Sequence, residues 1–400
     1  MPVRLAVLLC TLLMIACSSA AVQVKPVAMA ELSARDDVWR IHFIDIGQGL
    51  SVLLEFPCAA MLIDTGGELD EKFNSDDALF SYLNAFFDRR VDLKRTFALV
   101  ALTHPHVDHT RGVGMVTKNF KISNIIDNGM NQGSGGTQQG ELQDFARSHA
   151  AATRYRAIYL ADIVTPEGLT DDVIDPIRCP KIDPQIHALW GQVANDPGWP
   201  GFRFNKTPFQ NANNHSVVLR VDYGKSSALF TGDLEEPAIK DLLARSVNSK
   251  ILDVDVYQVG HHGSSNGTTP ELVAAMSPQI AVFSMGPPEW RMQWSGWKFG
   301  HPRQEIVAML EAGIARKRPP LDVQVGIASE KFEPHRVEKA LFGTGWDGSV
   351  VVEADAEGNM RVVTAGRAPE QRAWKAPPKL RAGERLPGVP SPTDDDGHGK

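Results

Sequence analysis

The run His104-Pro105-His106-Val107-Asp108-His109 puts three imidazoles and a carboxylate within six consecutive positions. Imidazole nitrogen with carboxylate oxygen suits Zn²⁺, and Mn²⁺ or Fe²⁺ after it. A mixed N/O set belongs to a catalytic centre rather than to a closed structural one. The run offers ligands for more than one ion. Two weaker signals follow. Phe230-Thr231-Gly232-Asp233 ends an apolar stretch in a turn and a carboxylate, a pattern that many ordinary turns share. Val259-Gly260-His261-His262-Gly263-Ser264-Ser265 ends another with paired histidines between glycines. Glycines there suit a backbone that approaches something polar closely.

All three signals sit where an apolar run stops, so strands must carry them to a common edge. Alternation and turn residues predict strands at 39–46, 50–56, 60–63, 97–102, 122–127, 217–222, 228–230, 254–259 and 280–284, with a hairpin over 349–364. Helical periodicity predicts helices near 77–88, 141–151, 235–244, 270–276 and 304–311, and residues 129–140 read as a Gly/Gln/Ser loop. Residues 166–214 carry little periodicity and many Pro, Gly and aromatic residues, which reads as a long surface insertion. Strands first joined by hairpins and then alternating with helices predict an α/β chain, a sandwich of two sheets covered by helices.

Composition narrows the partners. The 400 residues hold 41 Lys+Arg against 48 Asp+Glu, a net charge of −7, so no broad basic surface grips nucleic acid through phosphate charge alone. The first 20 residues combine Arg4, an apolar run and a small-residue exit, the pattern of an export signal. Met14-Ile15-Ala16-Cys17 resembles a bacterial lipobox, in which Cys17 becomes a lipid anchor on the periplasmic face of a membrane. Cleavage after Ala20 or Ala21, leaving a soluble periplasmic or secreted protein, is the alternative. Residues 21–37 then form a spacer, 38–364 one folded domain with long insertions and 365–400 a disordered Pro-, Lys- and Asp-rich tail. No other run is long and apolar enough to span a bilayer as a channel. Cys58 and Cys179 are free to pair in an oxidising compartment.

The ordered pieces Phe43-Ile44-Asp45-Ile46-Gly47-Gln48-Gly49, Leu62-Ile63-Asp64-Thr65-Gly66-Gly67, His104 to His109, Asn213-Asn214-His215-Ser216, Thr231-Gly232-Asp233-Leu234, His261-His262-Gly263-Ser264 and Gly300-His301-Pro302 resemble the metallo-β-lactamase superfamily. The particular resemblance is to the β-lactamase-like domain of ComEC-type competence DNA-uptake proteins. Leu50 departs from it, standing where that family usually has Asp. The resemblance implies an αββα sandwich with two divalent metals at the strand ends. It implies His104 and His106 on the first metal, completed by His215, and Asp108, also a catalytic residue, and His109 on the second, with Asp233 bridging. His261 completes the second site, with His262 as the rival. Asp64 orients a ligand imidazole or simply forms a turn. His301 protonates a leaving oxygen or packs. Ser264, Thr268 and Thr269 contact an anionic substrate or form turns, and Trp290, Trp294 and Trp297 form a stacking wall or core.

Two divalent ions sharing a water bring its pKa from about 15.7 toward neutrality, so no Ser or Cys nucleophile is needed. The expected activity is hydrolysis of a phosphodiester, possible substrates including DNA. Lactam or thioester hydrolysis and a non-catalytic nucleic-acid-binding lipoprotein are the alternatives.

Overall fold

A computed structural model describes residues 24–26, 32, 35, 37–70, 73–193 and 208–366. The export signal with Cys17 and nearly all of the expected tail lie outside the described residues. Among those described, nine strands form one sheet in the order Val24–Pro26, Met360–Thr364, Val350–Asp355, Val38–Phe43, Val52–Glu55, Ala60–Ile63, Leu99–Ala101, Asn124–Asp127 and Arg154–Ala157. Six more form a second sheet, in the order Gln185–Trp190, Val218–Tyr223, Ser226–Phe230, Val256–Gln258, Ile280–Phe283 and Leu341–Gly343.

Side chains alternate across the first sheet. Trp39, Ile41, Val52, Leu54, Met61, Ile63, Leu99 and Ala101 enter the core between the sheets. Leu53, Ala60, Leu62, Val100 and Ile125 enter a second core. That second core is roofed by the helices Ser75–Arg89, Val113–Asn119 and Gly136–Ser148, which contribute Leu79, Phe86, Phe87, Val116 and Leu142. Helices Glu236–Arg245, Pro270–Met276 and Gln304–Gly313 cover the other sheet through Leu242, Leu272, Met276, Val307 and Leu310. The result is the expected αββα sandwich. Helix starts are locally encoded: Asn74 Oδ1 accepts the backbone N–H groups of Asp76 and Asp77, and Thr269 Oγ1 accepts that of Leu272.

Several expected boundaries shift. Residues 166–214 are not wholly an insertion, because Gln185–Trp190 pairs antiparallel with Val218–Tyr223 as the edge of the second sheet. The expected loop at 129–140 gives way to helix from Gly136, where Gln139 donates to Asn128 Oδ1 and the Met130 carbonyl. These tertiary bonds outweigh the poor helix propensity of Gly136. The spacer contributes Val24–Pro26, parallel to Val362–Thr364. The antiparallel pair Lys317–Ala328 and Lys331–Lys339 was not expected at all; it is mostly exposed and has no apolar run to announce it.

Cys58 and Cys179 form a disulfide across 121 residues of sequence. It ties the turn before Ala60–Ile63 to the segment that leads into Gln185–Trp190. Closing so long a loop removes freedom chiefly from the unfolded chain. The double variant Cys58→Ser, Cys179→Ser is therefore expected to lose about 2–5 kcal/mol in urea unfolding. An unchanged unfolding midpoint, or two titratable thiols in the native protein, would contradict the bond.

Candidate metal centre

Strand ends from both sheets meet at one edge. After Leu99–Ala101 the chain passes through Thr103 to His104. After Ser226–Phe230 it turns at Gly232 to Asp233, and after Val256–Gln258 it turns to His261 and His262. The loop bearing Asp108 and His109 is pinned from below: Leu50 N–H donates to the Asp108 carbonyl and Thr65 N–H to that of His109. Gly66 is required there, since a Cβ at that position would lie 1.8 Å from the Asp108 carbonyl oxygen. Gln258 Oε1 accepts the N–H groups of Thr231 and Gly232, and Ser216 Oγ accepts that of Asp233, which shapes the turn under this carboxylate.

Four groups converge. Ligand atoms of Asp108, His109, Asp233 and His262 all lie within 4.8 Å of one another. His109 Nε2 is 3.2 Å from Asp233 Oδ1, and His262 Nε2 is 3.3 Å from both Asp108 Oδ2 and Asp233 Oδ2. A tetrahedral ion with bonds of about 2.0–2.1 Å spaces its ligand atoms about 3.3 Å apart, so these separations fit one cation.

The ring orientations are set from behind. His109 Nδ1–H donates to Asp64 Oδ2 at 2.7 Å, and His262 Nδ1–H donates to the Ser284 carbonyl at 2.6 Å. Each bond leaves the Nε2 lone pair facing the centre. Asp64 is itself held by the N–H and hydroxyl of Thr103, both at 2.7 Å. With its proton given to Asp64, the Thr103 hydroxyl accepts from His104 Nδ1 at 3.1 Å. His104 Nε2 then faces His106 Nδ1 at 3.1 Å, beside His109, whose ring centroid is 4.2 Å from that of His104. This second pair of nitrogens adjoins the first group.

The decisive test of fit is Asp233. It is fully buried, yet no hydrogen bond reaches either carboxylate oxygen, nor His109 Nε2, nor His262 Nε2. Charge balance within the group points the same way. Burial opposes ionisation of Asp108 and Asp233, but His109 and His262 beside them hold both carboxyls well below the usual range. Burial likewise opposes charge on the imidazoles. Asp233 nevertheless pulls His109 well above its ordinary pKa, helped by Asp64 and Asp108, and pushes His262 up to about 10. His104, beside two other histidines, is pushed well below by burial and by His109 and His106. The carboxylates that draw protons onto His109 and His262 would draw a divalent cation by the same attraction, with those protons released from Nε2 as it binds.

Residues 44–286 match the metallo-beta-lactamase superfamily. The chain belongs to that superfamily. Among curated relatives, recombination protein 2 of Haemophilus influenzae is 25% identical over 268 residues, which are 66% of this chain and 25% of that protein. ComE operon protein 3 of Bacillus subtilis is 27% identical over 280 residues, 68% of this chain and 30% of the relative. Competence protein ComA of Neisseria gonorrhoeae is 28% identical over 265 residues, covering 66% and 29%. The chain thus spans no more than 30% of the length of these relatives. Similar solved structures include the metallo-beta-lactamase fold protein YhfI of Bacillus subtilis, at 14% identity and TM-score 0.33 over 62% of this chain and 85% of that one. A diphosphatase of the PhnP family aligns at 9% identity and TM-score 0.32 over the same shares.

Two expected ligands, His261 and His215, have other partners. His262, not His261, joins the four-residue group. His261 Nε2 stands 3.7 Å from Asp233 Oδ2, and its Nδ1 contacts Asn266 Oδ1 at 2.9 Å. Both residues have left-handed backbone, φ 47° and 54°, and this double turn carries the second ring inward; such conformations cost about 1–3 kcal/mol each and mark functional sites. Both ring nitrogens of His215 are engaged elsewhere: its Nδ1 accepts the Val193 N–H at 3.0 Å and its Nε2 donates to the Phe209 carbonyl at 2.6 Å. Thr268 faces Tyr257, whose hydroxyl lies 2.9 Å from its own, and Thr269 caps a helix. Ser264 remains half-buried at the end of the His261–His262 turn. His301 lies beside the centre, its ring stacked 6.3 Å from that of His262. Trp290 packs on Phe73 at 4.8 Å, and Trp294 lies 6.3 Å from Phe299. No role was assigned from the sequence to Thr103, Ser216, Gln258 or Ser284, although Thr103 stands directly before His104 and Ser216 directly after His215.

Zinc titration of the purified protein is expected to separate these roles. His262→Ala should lose at least tenfold in zinc affinity and Asp64→Ala about 10–100-fold, whereas His261→Ala should retain near wild-type binding. Equal losses at positions 261 and 262 would contradict the assignment.

Proposed function

We propose that this chain is a dinuclear metal-dependent phosphodiesterase that acts on nucleic acid outside the cytoplasm. The observation that carries the reading is the buried Asp233, without hydrogen bonds to its oxygens, among imidazole nitrogens turned toward it. Asp108, His109, Asp233 and His262 would hold one divalent ion, and His104 and His106, with Asp233 shared, would hold the other. Zn²⁺ suits the nitrogen-rich set, with Mn²⁺ or Fe²⁺ after it. Such ions lower the pKa of water toward neutrality and neutralise phosphate charge.

The protein's own residues supply the rest. Thr103 and Asp64 orient His104 and His109. His301, close to His262 but outside the ligand group, donates a hydrogen bond to the departing oxygen. The rings of Phe299 and Trp294 continue outward from His301, at 5.7 and then 6.3 Å between centroids, and would stack on bases. Relatives named for competence and recombination direct the substrate class toward DNA. The Cys58–Cys179 bond supports an oxidising compartment, as does the reading of residues 1–20 as an export signal with Cys17 as lipid attachment point. Among the described residues no helix is long and apolar enough to cross a membrane.

A panel of bis-p-nitrophenyl phosphate, nitrocefin and a thioester tests the reading on metal-loaded protein. Turnover is expected on the phosphodiester, abolished in Asp233→Ala. His301→Ala should keep its metal and lose roughly 10²-fold in rate. Preferred turnover of nitrocefin or the thioester would contradict the substrate class. Loss of metal in His301→Ala would make His301 a ligand instead.

A further inference from the structure

Gln48, in the turn Gly47-Gln48-Gly49, is buried and reaches three separate segments. Its backbone N–H donates to Glu68 Oε2 at 3.0 Å, its Oε1 accepts the Gly286 N–H at 3.2 Å, and its Nε2 lies 3.4 Å from His301 Nδ1. The Gly286 contact settles which way the amide points. Turned over, the amide would set its NH₂ against the Gly286 N–H, two donors with nothing to accept. The group that meets His301 is therefore an NH₂, which only donates. His301 Nδ1 must accept, and its proton must sit on Nε2.

We propose that Gln48 is a positioning residue that fixes His301 as the neutral tautomer protonated on Nε2. The rest of the ring's surroundings hold it in register with this donor. His301 N–H donates to the Gly296 carbonyl at 2.8 Å, and the Phe299 ring lies 5.7 Å from its own at 30°. The exposed two-stranded hairpin braces the same segment from outside: Gly326 N–H donates to the Pro302 carbonyl, and Glu330 N–H to that of Trp297. A proton held on Nε2 lies on the side of the ring away from Gln48; the neutral ring keeps that proton, since losing it would leave an imidazolate, and offers it as a hydrogen bond to charge developing on a substrate oxygen. That last consequence rests on the hydrolase reading; the tautomer itself does not.

The test is long-range ¹H–¹⁵N correlation on zinc-loaded, ¹⁵N-histidine-labelled protein, with His301 assigned by its loss in His301→Asn. The wild type is expected to show a pyridine-like Nδ1 and a protonated Nε2. Gln48→Glu keeps an oxygen for Gly286 but presents an acceptor to His301, so the proton should move to Nδ1. The same variant should keep wild-type zinc content and lose about 10–100-fold in kcat with KM unchanged. A wild-type His301 protonated on Nδ1 overturns the proposal, and that measurement needs no variant to fold. A Gln48→Glu spectrum with the proton still on Nε2 overturns it too. A tautomer that moves as expected without a change in kcat supports the positioning and refutes the role of His301 as a hydrogen-bond donor to the reacting oxygen.

Discussion

A carboxylate that is fully buried and receives no hydrogen bond on either oxygen is among the most expensive groups a fold can carry. Asp233 is that group here, and much of the surrounding structure answers to it. His109 and His262 turn their Nε2 atoms to it at 3.2 and 3.3 Å, and each is locked by an acceptor on its far nitrogen, Asp64 or the Ser284 carbonyl. Removing any one of these supports would leave the others aimed at an uncompensated charge, so the centre stands or falls as a unit.

The architecture explains how so many polar groups gather at one place without destabilising the core. Parallel strands from two sheets end at a shared edge, and the chemistry sits just past those ends, in turns rather than inside the apolar layers. The residues behind it are fully buried apolar side chains, among them Ala101 and Phe230 at strand ends and Val259 just past one. They give the turns a rigid base. The left-handed pair His261–His262 and the close approach of Gly66 to Asp108 are strained or crowded features tolerated only because both flanking segments are fixed.

How much of this was legible in the sequence follows the same physics. The apolar strands before His104, Asp233 and His261 announced themselves because burial on both faces demands continuous apolar runs. The helix Pro270–Met276 was read to the residue, since proline and a threonine cap mark its start. The choice between His261 and His262 was not legible, because it depends on two consecutive positive φ angles that no local pattern encodes. His215 looked like a ligand by residue type, yet both its ring nitrogens are spent on backbone groups of neighbouring loops. The Lys317–Ala328 and Lys331–Lys339 hairpin escaped because exposed strands carrying Pro319, Pro320 and Pro334 lack the alternation that betrays a half-buried sheet. Gln48 was visible only as part of a turn, and its partners lie more than 230 residues away, at 238 and 253 positions.

The central claim is that Asp233 is buried in order to hold metal. Anomalous diffraction from crystals grown with zinc tests it most directly. The account predicts two zinc peaks, one among Asp108, His109, Asp233 and His262, the other beside His104 and His106, with Asp233 touching both. A zinc-soaked crystal with no peak against Asp233, or with Asp233 hydrogen-bonded to water alone, would contradict it.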